Sequence, residues 1–372
     1  MKLGFGIDPL QKKGQNFKTG RPSFNFPALI MSTQLENQTF DNSYFQQCLP
    51  QIYRSVLKDF KKIVHSHILL HILFISLIIG EMIGFLPFIQ KSAMAALGIS
   101  LFFLTIFSYL VIFIYSQTRK PERLLRLKTM FLDSCRRHIS IPVGEVHHHL
   151  TIADALLKLA SYLEDFEKNF YKLPTIAQFL NKVFNKFSSY FYWKDVFHLK
   201  KLLLSAAVEE HLKQIRITPT DLEIHASLAA TYVAQSKIYR LKGRNRKTQG
   251  LFVKDFRSSS HLAIEEFEIL NFYAPNDPWI HEQLAIGYQE LDMPDYELKE
   301  VELLAQLRPH DKEILFRLGE LYFQQGMNAK GLRIYEELKQ LNFKKSEALI
   351  SYYGILKNNA DELFPIYSGN KN

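Results

Sequence analysis

The sequence predicts an all-α protein, an N-terminal transmembrane helical hairpin followed by a cytoplasmic α-solenoid. Three observations predict it. Two long apolar runs lie side by side in the N-terminal part, and helix pairs recur at a fixed step in the C-terminal half. The third is charge: residues 1–150 hold 17 Lys and Arg against 8 Asp and Glu, while residues 151–372 hold 29 of each, so the net +9 belongs to the N-terminal part. The two cysteines, Cys48 and Cys135, offer no disulfide framework and no metal spacing.

Residues 1–49 read as a disordered tail, since Gly, Pro and Asn are present without a sustained apolar period. A basic amphipathic helix is expected over residues 50–65, with Pro50 in its first turn, where the missing N–H is not needed. Its lysines suit an anionic inner leaflet. The hairpin occupies residues 66–117. "ILLHILFISLIIGEMIGFLPFI" (68–89) is 22 residues with one acid, Glu81, and "AMAALGISLFFLTIFSYLVIFIY" (93–115) is 23 residues without a charge. Each is long enough to cross a hydrocarbon core of about 30 Å at about 1.5 Å per residue. Only "QKS" separates them, which makes a tight turn.

Loop charge orients the hairpin. Arg54, Lys58, Lys61 and Lys62 precede it, and Arg119, Lys120, Arg123, Arg126 and Lys128 follow it, against Lys91 alone between the spans. The positive-inside rule then puts both termini in the cytoplasm, as in a bacterial inner-membrane protein. A basic juxtamembrane helix and the linker "ISIPVGEV" fill 118–148, and a helical, aromatic-rich cap or degenerate repeat fills 149–217. Its stretch "FNKFSSYFYWKDVF" reads as a cover for the solenoid's exposed end, with a partner-binding surface as the alternative. Removing everything up to about residue 140 is expected to leave a soluble helical fragment.

Repeat units are expected at 222–277, 278–311 and 312–345, with a capping helix and tail over 346–372. Leu318, Gly319 and Tyr322 stand one step after Leu284, Ala285 and Tyr288, and Leu338 and Leu341 stand the same step after Leu304 and Leu307. Leu228, Ala229 and Tyr232 repeat the first-helix spacing. Ala263, Phe267, Leu270 and Pro275 supply the second-helix spacing after a basic insert at 240–257, expected in the turn between the two helices. Pro309 and Phe343 close the later units, and Gly331 and Tyr335 stand at the small and aromatic sites of the last second helix. An interior helical glycine costs roughly 1 kcal/mol against alanine, so Gly319 and Gly331 are read as positions of close helix crossing.

A helix pair with this step and this order of Leu-Gly/Ala, Tyr, small, aromatic and Pro resembles the tetratricopeptide repeat, whose period is about 34 residues. The departures are Glu297 at a small site, Phe343 for Pro, and Leu270, Leu304 and Leu338 at the second small site. The resemblance implies peptide binding in a groove lined by the first helices. The groove positions so implied are Glu282, Gln283, Ile286 and Gln289, then Phe316, Arg317, Glu320 and Phe323. With Arg317 as the one cation there, the groove does not suit a carboxylate clamp. Phe316 and Phe323 are close to two full helical turns apart, so they share a helix face and are expected to anchor a ligand's apolar side chains.

Other chemistry is sparse. His147, His148 and His149 are consecutive, hence about 100° apart on a helix and unable to converge on one ion, so they read as a solvated helix start. Glu81 is an intramembrane acid, a default functional suspect, but no second ionisable group lies deep in the spans to form a relay. The insert's Arg240, Lys242, Arg244, Arg246, Lys247, Lys254 and Arg257 suit anionic lipid most simply, with nucleic acid phosphates, an acidic partner or a solvated loop as alternatives. No P-loop, metalloprotease or nucleophile-elbow motif is present. The expected function is therefore a non-enzymatic, membrane-anchored scaffold without cofactor or metal. It binds a protein or peptide partner, touches anionic membrane through its basic flanks, and has no nucleic-acid role. The alternatives are a membrane enzyme or transporter using Glu81 and nearby histidines, or presentation of the repeats to another cytosol. The hydrophobic hairpin looks like that of chlamydial inclusion-membrane proteins, a resemblance carried by hydropathy alone.

Overall fold

Helix α1 (Ser43–Phe85) begins before Pro50 and runs without a break into the first apolar run. Pro50 is thus inside the helix, not in its first turn as expected. Its lost hydrogen bond is offset by tertiary packing. Phe45, Leu49, Tyr53, Val56, Phe60 and Val64, recurring at every third or fourth position, form one buried stripe. The computed structural model describes residues 43–88, 92–145, 147–164, 166, 181–240 and 246–353. The expected N-terminal tail up to residue 42, insert residues 241–245 and the tail from 354 lie outside these.

A short 3₁₀ turn, Leu86–Phe88, ends the first helix, and α2 (Ser92–His138) returns antiparallel to it, with Pro121 in its interior. Among the described residues, α1 and α2 are the two helices long and apolar enough to cross a membrane. In their apolar stretches Leu69, Ile83, Phe103 and Phe107 are all exposed. Beyond those stretches the same helices turn inward. Leu124, Leu127, Phe131 and Cys135 of α2 join the α1 stripe in a single core with α3 (His148–Tyr162) and α4 (Asn181–Ile217). The core therefore runs across residue 148, and residues 41–372 cluster as one unit.

The remaining helices are α5 (Leu222–Tyr239), α6 (Arg246–Tyr273), α7 (Pro278–Glu290), α8 (Pro294–Leu307), α9 (Lys312–Gln324), α10 (Asn328–Gln340) and the short α11 (Ser346–Leu349). From α3 onward each packs chiefly on its neighbours in the chain. Their starts share one device. Asp221, Asp277 and Asp311 cap α5, α7 and α9, accepting from the backbone N–H two positions on at 3.0, 2.9 and 3.1 Å. Each lies two positions after a proline, Pro219, Pro275 or Pro309. The turns out of α7 and α9 also correspond, with Asp292 and Gly326 at φ 58 and 74. Much of the insert is helical, because α6 starts at Arg246, and Phe252 and Phe256 fix its first turns to the core. The open turn expected over 240–257 is thus mostly helix. Among the described residues there is no strand, only an isolated bridge between Val143 and Glu145.

Candidate functional site

Twelve of the fifteen sequence-predicted packing residues are buried. Leu228, Ala229, Tyr232, Ala263, Phe267, Leu284, Ala285, Tyr288, Leu318, Gly319, Tyr322 and Gly331 all lie inside, Tyr335 is half-buried, and Pro275 and Pro309 sit at the surface. A Cβ at Gly319 would stand 2.6 Å from Leu349 Cδ2, and one at Gly331 would stand 2.5 Å from Phe323 Cε1. Glu297, at a position where a small residue is expected, is buried in a two-pronged pair with Arg317. The distances are Nε to Oε1 2.6 Å and Nη2 to Oε2 3.0 Å.

Those contacts reshape the expected groove. Phe323 is 1% exposed, with its ring over Gly331, so it belongs to the core of α9 and α10 and offers nothing to a ligand. Gln283 is buried as well. Arg317 is held by Glu297 and, at 3.1 Å, by Glu320, while Glu282 pairs with Arg308 at 3.5 Å. Phe316 is half-buried, with its ring 5.9 Å from that of Phe343. The positions that still face outward are Gln289, exposed, Glu282, in a surface pair with Arg308, and Ile286 and Phe316, half-buried. Helical spacing does align Phe316 with Phe323, but the close approach of α10 to the end of α9 covers the far end of that face.

Sequence reasoning missed a set of polar pairs between helices. His225 Nδ1 meets Glu266 Oε2 at 2.6 Å and its Nε2 meets the Pro219 carbonyl at 2.9 Å; His281 repeats this with Glu300 at 2.6 Å and Pro275 at 2.8 Å. Tyr288 Oη donates to Glu268 at 2.9 Å and Tyr322 Oη to Glu302 at 2.7 Å, the same bond one repeat step apart. The signal was present: His225 and His281 each stand three positions before the Leu-Ala pair of their unit. In the third unit the positions equivalent to His281 and Glu300 are Leu315 and Ile334, both buried. Burial alone would lower the pKa of His225, but the bonds to Glu266 and the Pro219 carbonyl, and the charges of Glu266 and Asp221, leave it raised.

The histidine run is solvated only at His147, which is exposed at the start of α3. His148 is buried, with Nδ1 2.7 Å from the Ile141 carbonyl, and His149 Nδ1 lies 2.6 Å from Glu210 Oε2. Glu210 also takes Arg136 at 3.0 Å and Lys213 at 2.9 Å. These two imidazoles thus serve different partners, and no group of three metal-binding side chains occurs among the described residues. In the hairpin, Thr105 Oγ1 donates to Glu81 Oε1, His71 Nδ1 meets Tyr109 Oη at 2.7 Å, and Gln117 Nε2 meets His67 Nε2 at 2.8 Å. These polar residues of the two apolar helices therefore face each other. Two insert cations occupy ordinary places: Arg240 pairs with Glu290, and Lys254 is exposed beside the 3.6 Å pair of Lys201 and Asp255.

None of the protein-family models scanned matches the chain, and a search of the curated proteins finds no match.

Proposed function

We propose that this protein is a membrane-anchored adaptor. Its α1–α2 hairpin spans a bilayer with both termini on the cytoplasmic side, and its helix pairs, of the tetratricopeptide kind, capture a protein or peptide partner. The observation that carries the reading is the repeated unit. Cap, turn and inter-helix tyrosine–glutamate bond recur at one step along helices that stack on their chain neighbours. Stacked repeats of this kind build extended binding faces. The exposed apolar residues of the hairpin support insertion, since soluble proteins rarely expose an apolar belt of that extent. The pairing of Glu81 with Thr105 supports a structural role for that acid over a transport relay.

The binding face is assigned to Ile286, Gln289 and Phe316, because Phe323, Gln283 and Arg317 are used internally. It suits a ligand with apolar anchors and balanced charge. The test is site-specific photocrosslinking in native membranes with the full chain. A probe replacing Gln289 should give a discrete adduct, and a probe at exposed Leu303 on α8 should give none. Equal adducts at both positions, or none at Gln289, would reject this face.

A further inference from the structure

Two ion pairs set the register of α4 against α2. Lys120 Nζ lies 2.6 Å from Asp195 Oδ2, and Arg136 Nη2 lies 3.0 Å from Glu210 Oε1. Asp195 follows Lys120 in the chain by almost the same number of positions as Glu210 follows Arg136. The helices therefore run in the same direction at a nearly constant offset, and each step back along α4 matches one step back along α2. From Asp195, α4 continues back to Asn181, a length of about 21 Å at roughly 1.5 Å per residue. The offset sets Tyr190 level with Tyr115, which ends the second apolar run, and sets earlier residues of α4 level with the run itself.

The preceding helix approaches the same place. In α1 the direction from Tyr53 to Phe60 leads towards the apolar run. Tyr53 Oη donates to the Ala155 carbonyl of α3, and the Phe60 ring packs against Phe166, just beyond α3. Phe166, just past α3, thus lies nearer the hairpin than Ala155 does, and α4 runs away from the hairpin.

The side chains at this level suit a lipid surface. Val183, Tyr190 and Phe191 are 62%, 53% and 44% exposed, comparable with Tyr115 at 57%. Lys182 and Lys186 are exposed on the same turns. Lys194 Nζ is 5.8 Å from the Trp193 ring, as Arg119 is 5.3 Å from that of Tyr115. Ser188 and Tyr192 are buried and hold the opposite side of the helix to the protein. Aromatic side chains concentrate at membrane–water interfaces, where lysine stems lie along apolar surface with the ammonium in the headgroup layer.

We propose that α4 from Lys186 to Lys194 forms a third membrane contact, an interfacial segment that lays Tyr190 and Phe191 beside Tyr115 at the headgroup level, with Lys194 on anionic lipid and the Lys186 ammonium reaching up to the same layer. The inference rests on the membrane-spanning reading of the hairpin. A bilayer is the occupant because the patch continues the hairpin's lipid-facing surface and its cations complement anionic headgroups.

Single-tryptophan forms of the full chain test it. The two native tryptophans are removed by Trp193→Phe and Trp279→Phe, and one is introduced by Tyr190→Trp, by Phe103→Trp in the apolar run, or by Phe272→Trp on the far end of α6. Matching circular dichroism spectra verify the fold of each. In vesicles containing anionic phospholipid, Tyr190→Trp should be quenched at least twofold by lipid brominated near the headgroup end of its acyl chains, and less by lipid brominated near the tail end. Phe103→Trp should show the reverse order, and Phe272→Trp no quenching. If Tyr190→Trp behaves like Phe272→Trp while Phe103→Trp is quenched, the interfacial segment is refuted and the hairpin stands. If Phe103→Trp is unquenched, both fall together.

Discussion

At position 331 an aromatic ring takes the space of a side chain. Phe323 lies over Gly331, and in the preceding unit the corresponding positions are Gln289, exposed, and Glu297, buried on Arg317. The two sites change together: where the second helix gives up its side chain, the first fills the gap. Gly319 answers to Leu349 and Ile334 in the same way, the nearest atoms standing 2.6 and 3.2 Å from a Cβ there. Gly319→Leu should therefore lower stability by about 1–3 kcal/mol, the usual cost of overpacking. Lys330→Ala removes an ammonium 5.0 Å from the Tyr322 ring and a 3.5 Å pair with Glu302, both at the surface, for about 0.5 kcal/mol. Denaturant midpoints of the full chain in detergent micelles measure the difference, and equal midpoints would show that Leu349 yields freely.

Between elements, the same kind of exchange occurs with charge. His225–Glu266 joins α5 to α6 and His281–Glu300 joins α7 to α8, whereas Leu315 and Ile334 replace them between α9 and α10. Both nitrogens of His225 face acceptors, Glu266 and the Pro219 carbonyl, with Asp221 nearby, an arrangement only the doubly protonated ring satisfies. Its folded pKa is raised, so its contribution is fully present below the unfolded value of about 6.5 and is lost as pH rises through the folded pKa. His211, buried and pushed down to about 4, works in the opposite sense: its contribution is present above about 6.5 and is lost as pH falls towards its folded pKa. Comparing the wild type with His225→Leu plus Glu266→Ile, which copies the third unit, isolates the first effect. The stability advantage of the wild type over this variant should shrink as pH is raised from 6 to 8. A constant difference across that range would show that folding leaves the His225 pKa unshifted, and a growing one that the ring is neutral in the fold.

Over the whole molecule, the two longest helices have an exposed apolar half and a core half. Residues 45–64 of α1 and 124–135 of α2 are as much a part of the first core as α3 and α4 are. Deleting residues 1–140 would strip that core and leave Leu156, Leu159, Leu199 and Leu203 uncovered. That fragment should aggregate, contrary to the expectation that the solenoid's apolar faces are closed by its own neighbours. Replacing only residues 69–114 by a short flexible linker should instead yield a soluble, helical protein, since His67 and Gln117 already lie side by side at 2.8 Å. Gel filtration and circular dichroism of the two forms decide between these outcomes, and a soluble 141–372 fragment would show that the shared core is dispensable.

The helical class, the two apolar runs and the repeat step were legible in the sequence because each is a local pattern: uninterrupted hydropathy, or a period read along one chain. The small and aromatic sites at Leu284, Ala285, Tyr288, Leu318, Gly319 and Tyr322 followed from that period. What covers an amphipathic stripe is not a local property. The apolar stripe around Pro50 looks the same whether it meets lipid or α3, and only the fold sets Tyr53 against Ala155. The same holds at the candidate site. Phe323 and Gln289 are equivalent in the repeat, and the approach of α10 at Gly331 buries one while the other stays exposed. Spacing along a helix fixes which residues share a face, but the distance to the next helix depends on side-chain volumes contributed by another part of the chain.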